Sequence, residues 1–185
     1  MQERTDEDLM KAYAQGNIEA FELLYNRHRG PLYRYVLGQV GDPATANDLY
    51  QGSWEKIIKA RGKYTASAPF RAWMYRITRN HVVDHFRRVH PETALAPDQM
   101  EASGPGPEQQ LQRENQAASL RDAIDRLPAD QRDTLLLKLD AGLDIQTIAD
   151  ITGANREAVK SRLRYAVGKL KKALTEDTAG IADDH

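Results

Sequence analysis

Residues 144–174 read DIQTIADITGANREAVKSRLRYAVGKLKKAL, and this stretch predicts two helices separated by a tight turn. Asp144 is placed to cap a short helix, Gly153 to end it, and Asn155 to cap a long basic helix that ends at about Leu174. The spacing favours a helix-turn-helix with one buried face. The residues expected on that face are Ile145, Ile148, Ala149 and Ile151 in the first helix, and Val159, Leu163, Val167, Leu170 and Leu174 in the second.

The face left over on the second helix is polar and mostly basic. It comprises Arg156, Glu157, Lys160, Ser161 and Arg164. In a helix-turn-helix the N-terminal half of the second helix enters the major groove of DNA. There Arg and Lys donate to guanine or phosphate, and Glu accepts from cytosine. A contact with duplex DNA is therefore predicted, and a helical hairpin with a charged outer face is the alternative.

The rest of the chain predicts an all-α protein with two small helical domains. Residues 91–107, PETALAPDQMEASGPGP, read as a flexible acidic linker because proline and glycine oppose helix formation. The domains span residues 1–90 and 108–176, and 177–185 form an acidic, loose tail. Four helices are expected before the linker, with Gly30-Pro31 interrupting the apolar stripe of the second.

Composition and charge narrow the classes of function. The chain has 185 residues and no cysteine, which excludes disulfides, thiolate nucleophiles and cysteine metal sites. No apolar run reaches the length of a membrane span, and the polar N-terminus does not read as a signal peptide, so no membrane insertion is expected. Residues 70–90 carry five arginines against one aspartate, and 156–172 carry seven basic residues against one glutamate. Two basic stretches around an acidic spacer indicate two contacts with a polyanion.

The first basic stretch, FRAWMYRITRNHVVDHFRR at 70–88, mixes aromatic residues with arginines on one predicted helix. Exposed aromatics stack on unpaired bases, and Asn80 offers both a donor and an acceptor to a flipped base. The alternative is that the aromatic residues belong to the core. His81 and His85, four residues apart, raise the further alternative of a metal-dependent hydrolase, for which no third ligand is identifiable.

Taken together, these segments resemble an ECF-type (extracytoplasmic function, group IV) bacterial RNA polymerase sigma factor reduced to its second and fourth domains. The resemblance covers about residues 8–174. It is carried by GNIEAFELLY at 16–25, DPATANDLYQGSW at 42–54, the helix at 70–88, and LPADQRDTLLLKL with the helix-turn-helix at 127–174. Asn47 and Gly52-Ser53 depart from the family pattern inside the polymerase-binding segment.

The resemblance implies a dissociable initiation subunit that acts in the cytoplasm without catalytic residues, cofactor or metal. Its partners would be core RNA polymerase, at the clamp helices of the largest subunit and the flap region, promoter DNA and an anti-sigma factor. Residues that would bind polymerase are Asp48, Leu49, Gln51 and Trp54. Residues that would bind the −10 element and favour melting are Lys63, Tyr64, Thr65, Trp73, Arg76, Asn80, Arg87 and Arg88. Residues that would read the −35 element are Arg156, Glu157, Lys160, Ser161 and Arg164. A stand-alone helix-turn-helix regulator that acts without polymerase is the alternative.

Overall fold

The computed structural model describes residues 2–91 and 116–182, and every regular element in these two stretches is helical. The first stretch forms α1 (Asp6–Ala14), α2 (Ile18–Val40), α3 (Pro43–Lys59), a short 3-10 turn (Arg61–Lys63) and α4 (Phe70–Val89). The second forms α5 (Gln116–Asp125), α6 (Ala129–Leu139), α7 (Ile145–Thr152) and α8 (Arg156–Ala182). The all-α prediction is confirmed. The predicted linker, apart from Pro91, and residues 183–185 lie outside the described residues.

Side-chain caps begin the first three helices. Thr5, Asn17 and Asp42 each accept a hydrogen bond from the backbone N–H three residues later, at 3.2, 3.1 and 3.0 Å. Each bond satisfies a helix donor that has no partner within the helix. Gly41 ends α2 in the left-handed region, with φ of 74°, where a Cβ would be strained. These boundaries therefore follow from local chemistry.

The predicted interruption at Gly30-Pro31 is wrong, because helix α2 runs unbroken through both residues. Proline inside a helix removes one backbone hydrogen bond and crowds the preceding turn, at a cost of about 3 kcal/mol. The helix packs against α1, α3, α4, α5 and α6. Its fully buried side chains include Leu32, Tyr35 and Val36, which follow the proline. The free energy gained by burying these side chains outweighs the cost of the proline. The helices that bury them include α5 and α6, which are distant in the sequence.

Helices α3 and α4 cross closely at Gly52, where the sequence departs from the family pattern. A Cβ at this position would lie 2.4 Å from His81 Nε2, which is closer than real Cβ contacts. The neighbouring Ser53 is fully buried, and its hydroxyl donates to the Leu49 carbonyl at 2.7 Å. The departure at Gly52-Ser53 therefore has a packing reason.

Gly52→Ala is expected to lower the free energy of unfolding of the N-terminal half by about 1–3 kcal/mol, because the His81 ring must move to admit the methyl group. Unfolding in urea, followed by tryptophan fluorescence, measures this half selectively since both tryptophans, Trp54 and Trp73, lie in it. Gly62→Ala is the matched control, because a Cβ there meets nothing within 4 Å. In a His81→Ala background the ring is absent, so adding Gly52→Ala should cost little further stability: the double variant should be about as stable as His81→Ala alone. Equal stability of the two glycine variants would contradict the close crossing.

The helix-turn-helix forms as predicted. Asp144 and Asn155 accept hydrogen bonds from the backbone N–H groups of Thr147 and Ala158 at 2.7 and 2.8 Å, and Gly153 ends α7 with φ of 74°. Both bonds from Thr147, through its backbone and its side chain, lower the pKa of the Asp144 carboxyl. The cap is therefore an anion at the helix start, where the helix dipole favours negative charge.

Two predictions for α8 are wrong. Val167 is 39 % exposed, whereas Ala166 is fully buried and occupies the core-facing position instead. The helix continues to Ala182, beyond the predicted end near Leu174, so that residues 177–182 of the predicted loose tail have helical backbone. Val159 and Leu170 are buried as predicted.

The two halves of the molecule pack against each other. Helix α2 contacts α5 and α6, and α4 contacts α7. Leu136 and Leu137 of α6 belong to the same buried cluster as Leu32 and Tyr35 of α2. A smaller cluster lies within the C-terminal half, between α5, α6 and α8. The sequence pattern, which predicts two domains on a tether, contains no signal for this contact.

Candidate nucleic-acid interface

One face of α4 is exposed and combines cations with an amide. Arg76, Asn80, Arg87 and Arg88 are exposed. Within the described parts of the chain, the side chains of Arg76, Asn80 and Arg88 form no hydrogen bond or ion pair. The Arg87 guanidinium lies 4.0 Å from the Asp84 carboxylate. The other faces are buried through Phe70, Met74, Tyr75, Thr78 and Val82. The structure thus brings Arg76, Asn80 and Arg87 together on one exposed face, and Arg88 projects about 100° around the helix from Arg87.

Aromatic contacts hold the loop before α4 beside the start of that helix. The Tyr64 and Trp73 ring centroids are 5.2 Å apart, and the Tyr64 hydroxyl donates to the Ala68 carbonyl at 3.1 Å. Both rings are half-buried, whereas Lys63 and Thr65 are exposed. Burial, followed by the charge of Glu7, raises the pKa of the Tyr64 hydroxyl. The shift is in the direction that favours the protonated hydroxyl, which is the form that donates this hydrogen bond.

Two arginines of α4 that contribute to the basic stretch in the sequence are not free in the structure. Arg79 Nε donates to Asp133 Oδ2 at 2.7 Å, and Arg71 Nη1 donates to the Ala141 carbonyl at 3.3 Å. Both contacts cross between the two halves of the molecule. Arg79 is half-buried and its charge is balanced by Asp133, whereas Arg71 stays exposed, so the free charge of α4 is smaller than the sequence count by that one arginine.

The polar strip on α8 is exposed as predicted. Arg156, Glu157, Lys160 and Arg164 are exposed, and Ser161 is half-buried. Glu157 and Lys160 form a weak surface pair of 3.4 Å, which costs little to break. This strip begins at the first residue of α8, whose free N–H groups favour an anion. The arrangement suits donors and one acceptor to base edges and phosphates.

Sequence reasoning missed the exposure of Tyr165 near this strip and the pairing of Arg162. Tyr165 is 58 % exposed, and the Arg164 guanidinium lies over its ring, 5.5 Å from the centroid. A tyrosine between apolar positions gives no signal of exposure in the sequence. Arg162, counted there among the free cations, instead pairs with Asp130 at 3.3 Å.

The predicted polymerase-binding residues divide into two groups. Asp48 and Gln51 on α3 are exposed. Leu49 and Trp54 are only 4 % and 5 % exposed, and they belong to the core of the N-terminal half. Their assignment as surface contacts is therefore corrected: they turn inward because apolar residues at helical spacing cover the neighbouring helices.

The metal alternative receives no support from the geometry. Across residues 2–91 and 116–182, no group of three or more His, Asp or Glu side chains is placed to hold a metal ion. Burial, and then the charge of Lys56, lower the pKa of His81, whose ring packs on Gly52. Nor is any helix in this described part long and apolar enough to cross a bilayer.

Comparison with known proteins identifies both halves. Residues 24–90 match the model of Sigma-70 region 2, and residues 117–170 match the model of Sigma-70, region 4. These matches fall on the helices that carry the two exposed polar faces. The chain is therefore a sigma-70 protein that contains regions 2 and 4.

Whole-length relatives define the subfamily. The chain is 31 % identical over 161 residues to the ECF RNA polymerase sigma factor SigL of Mycobacterium tuberculosis, covering 83 % of this chain and 88 % of SigL. It is also 31 % identical over 175 residues to ECF sigma factor BldN of Streptomyces coelicolor, covering 92 % of this chain and 66 % of BldN. The RNA polymerase sigma-H factor of Pseudomonas aeruginosa is 28 % identical, with coverages of 91 % and 93 %. The chain belongs to the ECF RNA polymerase sigma factors.

Solved structures agree with the fold. CnrH, solved in complex with the cytosolic domain of CnrY, superposes with a TM-score of 0.69 at 24 % identity, covering 93 % of this chain and 98 % of CnrH. RpoE of Bartonella quintana, in complex with the anti-sigma factor NepR, gives 0.67 at 21 % identity, with coverages of 84 % and 96 %. At this identity the likeness concerns the fold.

Proposed function

We propose that this sigma factor binds core RNA polymerase, reads the −35 element with α8 and reads and opens the −10 element with α4 and the loop before it. The observation that carries the proposal is the pair of exposed polar faces, one on each sigma region. Each face has free cations beside groups that hydrogen-bond bases. The domain limits 1–90 and 108–176 remain those expected from the sequence.

Each face fits a different form of DNA. The α8 strip is a narrow row at a helix start, which suits the major groove of a duplex. The α4 face places Asn80 between Arg76 and Arg87, beside a loop held by Tyr64 and Trp73. A base removed from its stack can meet the amide while arginines hold the phosphates. Binding of that base would offset the cost of unstacking, so that melting needs no ATP.

The proposed protein partners are inferred from the sigma factor family and from which side chains of α3 are exposed. Core polymerase would contact the exposed side of α3 around Asp48 and Gln51, with the flap region near the C-terminal half. An anti-sigma protein is a further proposed partner, since RpoE of Bartonella quintana has been solved with one. The site of action would be the cytoplasm, where the polymerase works.

The direct test is transcription of genomic DNA by core polymerase with and without this chain, followed by mapping of the start sites. New starts that share a −10 and a −35 sequence are expected. Co-purification with core subunits separates this function from that of a stand-alone regulator. A chain that binds duplex operators but never core polymerase would be such a regulator, and the proposal would then be wrong.

Asn80→Ala is expected to reduce the rate of promoter opening about 10-fold or more, because the captured base loses its hydrogen-bonding partner. Permanganate reactivity of unpaired thymines measures opening, and binding to core polymerase should not change. Asn26→Ala is the matched control, since Asn26 is an exposed helical asparagine outside the proposed site. Equal opening by both variants would remove Asn80 from the proposed mechanism.

A further inference from the structure

Three donors from the N-terminal half converge on one carboxylate of the C-terminal half. The Tyr35 hydroxyl and the Gln39 amide, one turn apart on α2, each donate to Asp133 Oδ1 at 2.7 Å. Arg79 Nε of α4 donates to Oδ2 at 2.7 Å. Asp133 is 8 % exposed. An anion is thus held by donors from two helices, in an arrangement that is more specific than an ordinary surface ion pair.

These donors are shaped for an oxyanion. Two of them are neutral and one is charged, so together they balance a single negative charge. The buried Tyr35 hydroxyl is kept protonated, because burial and then the Asp133 charge raise its pKa well above the usual value. A phosphate oxygen pair can accept the same three hydrogen bonds as a carboxylate.

Promoter engagement requires that Asp133 leave this site, an argument that rests on the proposed function. A compact chain of 185 residues has a radius of gyration of about 16 Å and a diameter of about 40 Å. The −10 and −35 elements take their names from their positions relative to the transcription start, which lie about 25 base pairs apart. That separation is roughly 85 Å of B-DNA. With the two halves packed together, their DNA-reading faces cannot reach both elements. Separation exposes the three donors and removes their anion.

The nearest polyanion is then the DNA strand on α4. Arg79 directly precedes Asn80 and lies three residues after Arg76, so it borders the exposed face of the same helix. We propose that Tyr35, Gln39 and Arg79 form a phosphate-binding site for single-stranded promoter DNA, which Asp133 occupies while the two halves are packed. The carboxylate thereby competes with DNA for the site, and opening of the molecule adds a backbone contact to the −10 face.

Gly38 offers a way to open the molecule without touching the site. A Cβ on Gly38 would lie 2.8 Å from Leu136 Cδ1, across the contact between α2 and α6. Gly38→Leu is therefore expected to separate the halves while the three donors stay intact. Asp133→Ala separates them by a second route, because it removes the carboxylate that balances the Arg79 charge and leaves that guanidinium only the 3.4 Å contact with the Ile151 carbonyl. Small-angle scattering of the full chain should show a larger radius of gyration for both variants.

The binding test uses full-length protein and a fluorescein-labelled oligo(dT), whose phosphates carry no promoter sequence. Gly38→Leu and Asp133→Ala should bind it about 10-fold more tightly at low salt than the parent chain. The slope of log affinity against log salt should steepen by about 0.7, which corresponds to one added phosphate contact. Arg79→Ala in the Gly38→Leu background should remove both gains. Arg121→Ala in that background is the control, because Arg121 also contacts the other half, at the Leu37 carbonyl, but lies outside the site.

The outcomes are distinguishable. An expanded Gly38→Leu chain whose salt slope equals that of the parent would overturn the proposal. So would a gain that survives Arg79→Ala, or one that appears with poly-glutamate and not with oligo(dT), which would assign the site to an acidic protein. If neither Arg79→Ala nor Arg76→Ala changes the affinity for oligo(dT), the proposed −10 face itself is wrong. If Arg76→Ala lowers the affinity and Arg79→Ala does not, the −10 face stands and only the additional phosphate site is rejected.

Discussion

Phe70→Ala is expected to lower the free energy of unfolding of the N-terminal half by about 3–5 kcal/mol, the largest stability loss anticipated for one side chain here. Phe70 is fully buried at the start of α4. Its ring centroid lies 5.4 Å from that of His28 and 6.0 Å from those of Tyr64 and Trp73. Removal of the ring leaves a cavity between α2, α4 and the loop before α4. Since whole domains are stable by only about 5–15 kcal/mol, this half would be close to unfolding.

Urea unfolding followed by tryptophan fluorescence measures this loss, and helical circular dichroism reports on both halves together. Val89→Ala is the control, because Val89 is 53 % exposed on the same helix and should change stability by less than about 0.5 kcal/mol. A loss below about 1 kcal/mol for Phe70→Ala would contradict its place in the core. Tyr64 and Trp73 rest on this ring, so the variant should also impair promoter opening below its unfolding transition.

The double change Arg156→Ala and Arg164→Ala is expected to weaken recognition of the −35 element about 100-fold or more. Each arginine that contacts a base edge or phosphate typically contributes about 1–3 kcal/mol, and the two lie about two turns apart on α8. Both side chains are exposed, so the fold should be unaffected. Competition binding by the assembled polymerase, with promoters found by start-site mapping, measures the effect.

Two comparisons make this result specific. Lys138→Ala combined with Arg126→Ala removes the same charge from exposed positions of the C-terminal half outside α8, and it should reduce binding to a much smaller degree. With the parent chain, scrambling the −35 element of a promoter should lower its affinity for the polymerase. With the double variant, scrambling should make little difference. If the double variant still prefers the intact element by the parental factor, α8 does not read it.

The contact between the two halves bears on how much basic surface the chain presents. Arg79 and Arg162 pair with aspartates of α6, and Arg71 donates to a carbonyl at the end of that helix. These contacts lower the free cationic charge of the chain, although cations outside the two proposed reading faces, such as Arg126 and Lys138, are exposed as well. With its two halves packed together, the chain should therefore bind DNA less tightly than its composition indicates.

Local pattern was sufficient to predict the all-α class, most helix starts, the helix-turn-helix and the exposed strips, but not the continuity of α2 or the end of α8. Side-chain caps at Asn17, Asp144 and Asn155 act within three residues, and the apolar spacing selects a face within one or two turns. These interactions are short-ranged along the chain, so the order of residues contains them. The family resemblance rests on the same segments.

Tertiary packing decided which of those faces stay exposed. Leu49 and Trp54 turn into the core, α2 continues through Pro31, and Arg79 meets Asp133 rather than solvent. Each outcome depends on helices that approach from distant parts of the chain: Arg79 and Asp133 are 54 positions apart, and Tyr35 and Asp133 are 98 apart. Helical periodicity identifies a side chain's face but not the element that covers it, because that choice is made by the free energy of packing the whole molecule.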